Sequence, residues 1–203
     1  MGCFWGTEAM LGAAKGVVLT RVGFAGGSSP EPSYTSQGNH AETVEVAYDP
    51  QRTSYKELLK HFWKHHNPHA KPVFDSSASA IFIADSQDKK VAEMAKSEWL
   101  AAHPNTSLSS SIREIKQFYP ARTEQQKHYL QQDPILLESL PQYDEILHTP
   151  LATKLNSVSG RGGERQALSQ SLSGFGISSE AQKILFQRAV WPERNQDISK
   201  SSN

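Results

Sequence analysis

The 203-residue chain holds a single cysteine, Cys3, so no disulfide can close within it. That scarcity excludes a disulfide-framed secreted module and makes a reducing compartment, cytoplasmic by first reading, the expected setting. No apolar run approaches the roughly 20 residues needed to cross a bilayer. The N-terminal stretch shows neither a signal-peptide apolar core nor an Arg-rich transit pattern, so a membrane is not an expected partner. Charge of one sign is also missing. Lys and Arg number 21 against 21 Asp and Glu, without the basic excess of a nucleic-acid surface. A myristoylation signal at Gly2 would need Ser or Thr where the chain has Gly6. Internal repeats at solenoid periods and low-complexity tracts are absent as well. What remains is a chain long enough to bury one sizeable core without covalent staples.

Local patterning then divides the chain. After Cys3 the run FWGTEAMLGAAKGV carries apolar Met10, Leu11 and Ala14 at helical spacing, with Gly16 placed to end the helix. VVLTRVGFAG, residues 17–26, reads as a strand. GGSSPEPSYTSQGN, residues 26–39, is a loop of functional length. HAETVEVAYDP is a strand whose Glu42, Val44 and Val46 share one face. SYKELLKHFWKHH, capped by Ser54, is an amphipathic helix with Leu58, Leu59, Phe62 and Trp63 inward. SASAIFIAD reads as a strand, SQDKKVAEMAKSEWLAAH as a helix from Ser86, SSSIREIKQFYPA as one further strand and TEQQKHYLQQDP as a helical turn or two. Near His148 the character changes to loop chemistry followed by two short helical patterns. The expected organisation is an α+β domain over 1–147, a small helical C-terminal extension over 148–191 and a disordered tail over 192–203.

The lone thiol therefore stands at a helix N-terminus, where partial positive charge and free amides favour thiolate. Gly2 and Gly6 leave the backbone beside it bare, while Phe4 and Trp5 offer apolar faces. Glu42, with its apolar neighbours, is a carboxyl whose charged form is disfavoured and which is suited to hold a proton.

GCFWGTE, residues 2–8, resembles the active-site signature of the A-type peptide methionine sulfoxide reductases, which reduce the S epimer of methionine sulfoxide. VGFAGGSSPEPSY is similar to that family's tyrosine-bearing loop, HAETVEVAYDP to its glutamate-bearing strand and SYKELLKHFWKHHNP to the helix that follows. FYPA and ATKLN echo later segments. The resemblance implies a two-layer ferredoxin-like plait with a mixed or antiparallel sheet. It implies Cys3 as the nucleophile on the sulfoxide sulfur, Glu42 as the acid at the sulfoxide oxygen and Tyr34 as a hydrogen-bond donor to that oxygen. Phe4 and Trp5 become the pocket for the S-methyl group. The implied substrate is methionine sulfoxide, free or in proteins, handled by a monomer without metal or organic cofactor.

The chain departs from that family in three ways. The family carries a strand before its cysteine, so either the start lies further upstream or another segment must cover two strand edges. Ser77 stands where the family has a second tyrosine, and Asp75 is the sole nearby acid. No second cysteine exists to resolve a sulfenic acid, so an external thiol such as thioredoxin, glutaredoxin or glutathione is the implied reductant. These departures keep a second reading open, a binding module that holds methionine sulfoxide without turning it over. His61, His65, His66 and His69 crowd one helix end but lack a carboxylate or cysteine at ligand spacing, so no metal is expected there. SGRGGER has the glycine content of a phosphate loop without its lysine or preceding strand, and reads as a linker.

Overall fold

The computed structural model describes residues 1–69, 77–104, 106–134, 137 and 147–160. The β-branched stretches pair first: β1 (Val17–Ala25) and β2 (Ala41–Tyr48) run antiparallel, with Phe24 opposite Glu42 and Val22 opposite Val44. β5 (Phe118–Pro120) adds antiparallel to the other side of β1, giving a three-stranded sheet of order β2-β1-β5. β3 (Ala80–Ile83) and β4 (Ser111–Glu114) form a separate parallel pair. Parallel strands need a crossover, and α3 (Ser86–Ala102) supplies it.

Helix starts follow cap chemistry. Cys3 is the N-cap of α1 (Phe4–Ala13), and Ser54 accepts from the Glu57 amide at 3.3 Å to start α2 (Tyr55–Lys64). α3 starts at Ser86 as the sequence suggests, and Asp85 caps it, accepting from the amides of Gln87 and Asp88 at 2.8 Å each. Beyond α1, Gly16 takes φ +80°, a left-handed turn that a side chain would strain. A short helix α4 (His128–Gln131) and a longer α5 (Pro150–Ser159) follow along the chain.

The core forms in patches. Leu59, Phe62 and Trp63 of α2 pack with Ile81 and Ile83 of β3 and with Ala92 and Ala95 of α3. Each such large apolar side chain contributes about 1.5–3 kcal/mol on burial. Phe4 joins Val22, Phe24 and Ala121 in a second patch on β1. Among the described residues, β2 and β3 each lack a partner on one side. A cavity of about 380 Å³ lies beside both, lined by Val44, Val46, Leu58, Phe62, Ala80 and Phe82.

Two segments differ from the sequence expectation. The single strand expected over 109–121 is two strands in two sheets, because the chain leaves β4 at Ile115 and re-enters hydrogen bonding at Phe118. TPLATKLNSV, expected to begin as loop, is the start of α5, with Thr149 accepting from the Ala152 amide at 3.2 Å and Pro150 in the first turn. Ala152, Leu155 and Val158 are buried, and Gly12 of α1 lets α5 approach closely. A Cβ there would stand 2.5 Å from Ser157 Oγ and 3.1 Å from the Thr153 carbonyl. The remaining extension from 161 and the tail over 192–203 lie outside the described residues. No described helix is long and apolar enough to cross a membrane.

Candidate active site

Cys3 sits exposed at the head of α1 with no side-chain cap bond, and its carbonyl receives the Thr7 amide and hydroxyl. The space around it is open: a Cβ on Gly2 would meet nothing within 4 Å, and one on Gly6 only the Tyr129 hydroxyl at 3.8 Å. Glu42, half-buried at the start of β2, reaches the same helix end. Its Oε2 accepts from the Phe4 amide at 2.8 Å and its Oε1 from Gln37 Nε2 at 3.3 Å. Strand and helix thus bring together two groups 39 positions apart, through the free amides that a helix N-terminus offers.

The thiol is not poised as thiolate in this resting arrangement. Burial pushes its pKa up and the Glu42 carboxylate adds to this, outweighing the Trp5 and Gly6 amides that pull it down. The expectation from helix position alone was therefore incomplete, since it left out the neighbouring negative charge.

Tyr34 stands on the loop between β1 and β2. Its ring stacks on Trp5 (centroids 5.4 Å apart, planes 23°) and on Phe4 (6.2 Å, 19°), while 40% of its surface stays accessible. Burial, Glu42 and Cys3 all push its pKa up, which keeps the hydroxyl protonated. The loop itself is tied down by Asn39 and His40. Asn39 Oδ1 accepts from the Ser28 amide at 2.9 Å, and buried His40 accepts at Nδ1 from the Gly27 amide at 3.2 Å. His40 Nε2 lies 2.9 Å from the Ser29 carbonyl and so carries the proton.

Phe4 and Trp5 differ in access. Phe4 is completely buried, against Phe24 at 5.7 Å, whereas Trp5 is half-buried with Tyr34 stacked on it. His128, which sequence reasoning passed over, lies flat against Trp5 with centroids 3.7 Å apart and planes 4° off parallel. Ser77 lies three residues before β3, and Asp75 lies outside the described residues. On α2 the His61 and His65 rings stack at 5.8 Å, and His66 bonds Ser110 Oγ at 3.0 Å. The described residues hold no group of three metal-ligating side chains.

An exposed thiol, a carboxyl group and an aromatic wall at one helix end suit nucleophilic attack, with proton transfer, on a small and partly apolar substrate. A sequence model of the peptide methionine sulfoxide reductase family matches residues 1–149. The chain belongs to that family. A peptide methionine sulfoxide reductase of Drosophila melanogaster is 41% identical over 169 residues, covering 82% of this chain and 69% of that protein. Peptide methionine sulfoxide reductase A5 of Oryza sativa subsp. japonica is 39% identical over 165 residues, covering 77% and 65%. The chain thus spans about two thirds of the length of these relatives. Among solved structures, methionine sulfoxide reductase A of Corynebacterium diphtheriae superposes with a TM-score of 0.55 at 30% identity, over 66% of this chain and 72% of that one. A reduced-form structure from Saccharomyces cerevisiae superposes at 0.59 and 29% identity, over 66% and 82%. Membership places the chain among oxidoreductases, with a mixed α+β fold and an antiparallel sheet.

Proposed function

We propose that this chain reduces methionine S-sulfoxide, free or within proteins, to methionine through a one-cysteine cycle. The observation that carries the reading is the meeting of Cys3 and Glu42 at one helix N-terminus, fixed by the 2.8 Å bond from the Phe4 amide to Glu42. In the reaction, Sγ of Cys3 bonds to the sulfoxide sulfur while the thiol proton passes by way of the Glu42 carboxylate to the sulfoxide oxygen. In that adduct the hydroxyl moves to Sγ: the Sγ–O bond forms as the S–O and S–S bonds to the substrate sulfur break. Methionine departs and Cys3 is left as a sulfenic acid. Tyr34 donates a hydrogen bond to the oxygen as charge develops on it. Trp5 and Tyr34, with Phe4 behind them, receive the S-methyl group.

The raised thiol pKa fits this sequence of events. The proton that reaches the sulfoxide oxygen through Glu42 is the one that the resting thiol holds. Substrate and nucleophile are thereby activated together. Two equivalents of an external thiol, from thioredoxin, a glutaredoxin or glutathione, return Cys3 to its reduced form with loss of water, because the chain has no second cysteine. The cycle as written calls on no metal or organic cofactor, and a monomer in the cytoplasm suffices for it. The architecture belonging to this reading is a two-layer ferredoxin-like plait. The second reading, a binding module without turnover, is favoured by the same elevated thiol pKa, which leaves little thiolate at rest.

The deciding experiment is single-turnover reduction of each sulfoxide epimer with dimedone trapping and intact-mass detection. Stoichiometric methionine from the S epimer with one adduct on Cys3, and neither from Cys3→Ser, is the expected result. Sulfoxide binding with no product and no adduct would move the binding module into first place.

A further inference from the structure

Lys127 has no part in the reaction above, yet it is 0% exposed and its ionic partner among the described residues, Glu8, is 0% exposed too. Lys127 Nζ donates to Glu8 Oε1 at 2.6 Å and to the Thr20 carbonyl at 2.6 Å. Glu8 Oε1 also accepts from Thr20 Oγ1 at 3.1 Å. Glu8 Oε2 accepts from the Lys127 amide at 3.0 Å and from Asn156 Nδ2 at 3.4 Å. One carboxylate therefore grips the same residue twice, at its ammonium and at its backbone.

Replacing a buried ion pair by a well-packed apolar pair is often neutral or stabilising, so the pair calls for a role beyond stability. What it fixes is a direction. Lys127 takes φ 50° and ψ 45°, a left-handed conformation that a bulky side chain adopts at a cost. The residue that leaves Lys127 from this conformation is His128, whose ring covers Trp5 at 3.7 Å. Glu8 stands on α1 one turn beyond Trp5, so anchor and ring ride on one helix. Tyr34 also stacks on Trp5, with centroids 5.4 Å apart.

We infer that Lys127 is a positioning residue: held left-handed by Glu8, it sets His128 against Trp5 and so fixes the aromatic wall that receives the substrate's S-methyl group. This rests on the reductase reading for its functional half, whereas the geometric half can be measured without turnover.

The test uses Glu8→Gln combined with Lys127→Met, which removes both charges and leaves no lone buried ion. Two quantities are read. In the wild type, the imidazole proton resonances of His128 are displaced upfield by the Trp5 ring. In the double variant they return towards those of an unstacked histidine, and KM for methionine S-sulfoxide rises about tenfold while kcat stays within about threefold. His128→Ala is expected to reproduce the KM rise. A folded double variant with unmoved His128 resonances and unchanged KM overturns the proposal, as does His128→Ala with wild-type KM. A double variant that fails to fold assigns the pair to stability alone, and this too overturns it. If the wild type itself reduces no sulfoxide the reductase reading fails, and the His128 resonances still decide whether Lys127 places the ring.

Discussion

Replacing Glu42 by Gln separates charge from shape at the centre of the site. Glutamine keeps an oxygen that accepts from the Phe4 amide, now 2.8 Å from Oε2, and its side chain stays within reach of Gln37 at 3.3 Å. The register of strand and helix is preserved. Two things are lost, the carboxylate that hands the thiol proton on to the sulfoxide oxygen and the resting negative charge that helps hold the Cys3 thiol neutral. They act in opposite directions. A positioned general acid contributes roughly 10²–10⁴-fold, about 3–5 kcal/mol of barrier, so kcat for the S epimer falls by that factor while KM changes little. The thiol, relieved of its anionic neighbour, becomes more acidic and is alkylated faster by iodoacetamide at neutral pH. Steady-state reduction with dithiothreitol and intact-mass timing of alkylation read the two effects on one preparation. If kcat falls less than about tenfold, Glu42 does not carry the proton to the sulfoxide oxygen; if alkylation slows, the charge argument for Cys3 is wrong.

Other outcomes follow from the same geometry. Tyr34→Phe keeps the stack on Trp5 but removes the hydroxyl, and kcat is expected to fall about a hundredfold. A loss confined to KM would instead make Tyr34 a packing residue only. Gly12→Val drives a side chain into Ser157 and Thr153 and is expected to cost about 1–3 kcal/mol. That lowers Tm by roughly 2–12 °C in a scanning calorimeter, and an unchanged Tm would contradict the close approach of α1 and α5. Lys154, which donates to the Gly12 carbonyl at 2.7 Å, has its pKa lowered by burial from 10.5 to about 8. Between those values the unfolded chain holds a proton that the folded chain does not. Urea midpoints should therefore rise from pH 8 to about pH 10.5, a rise that Lys154→Met removes.

The elements most legible in the sequence are those whose apolar period matches a single buried face. The Ser54 cap and the inward Leu58, Leu59, Phe62 and Trp63 of α2 are of this kind. α5 was hidden because Thr153, Asn156 and Ser157 are buried polar residues that interrupt its pattern, each satisfied by a partner no periodicity reveals. Strands β4 and β5 share one alternation, and nothing in Ile115-Lys116-Gln117 says that the chain changes sheets there. Within the site, Cys3 and Glu42 carry signals of their own, but their meeting came from family likeness rather than from spacing. Glu8 carried only the signal of an acid in an early helical turn, and Lys127 and His128 were passed over for a different reason. Ionisable residues between polar neighbours read as surface, and only the three-dimensional partner shows why burial is tolerated.

The carboxylate of Glu8 also imposes an order on the chain's birth. Residue 8 leaves the ribosome well before its ammonium partner, which is 119 residues later, and Asn156 is later still. At typical elongation speeds that gap is about 6–24 s. During it α1 cannot sink its inner face without stranding a charge in an apolar interior. The helix bearing Cys3 must wait, docked loosely or not at all, until the far end of the domain has been made. A nascent chain halted before Lys127 is thus expected to display its reactive thiol on an unsettled helix, and a chaperone that shields early segments would have its longest task here.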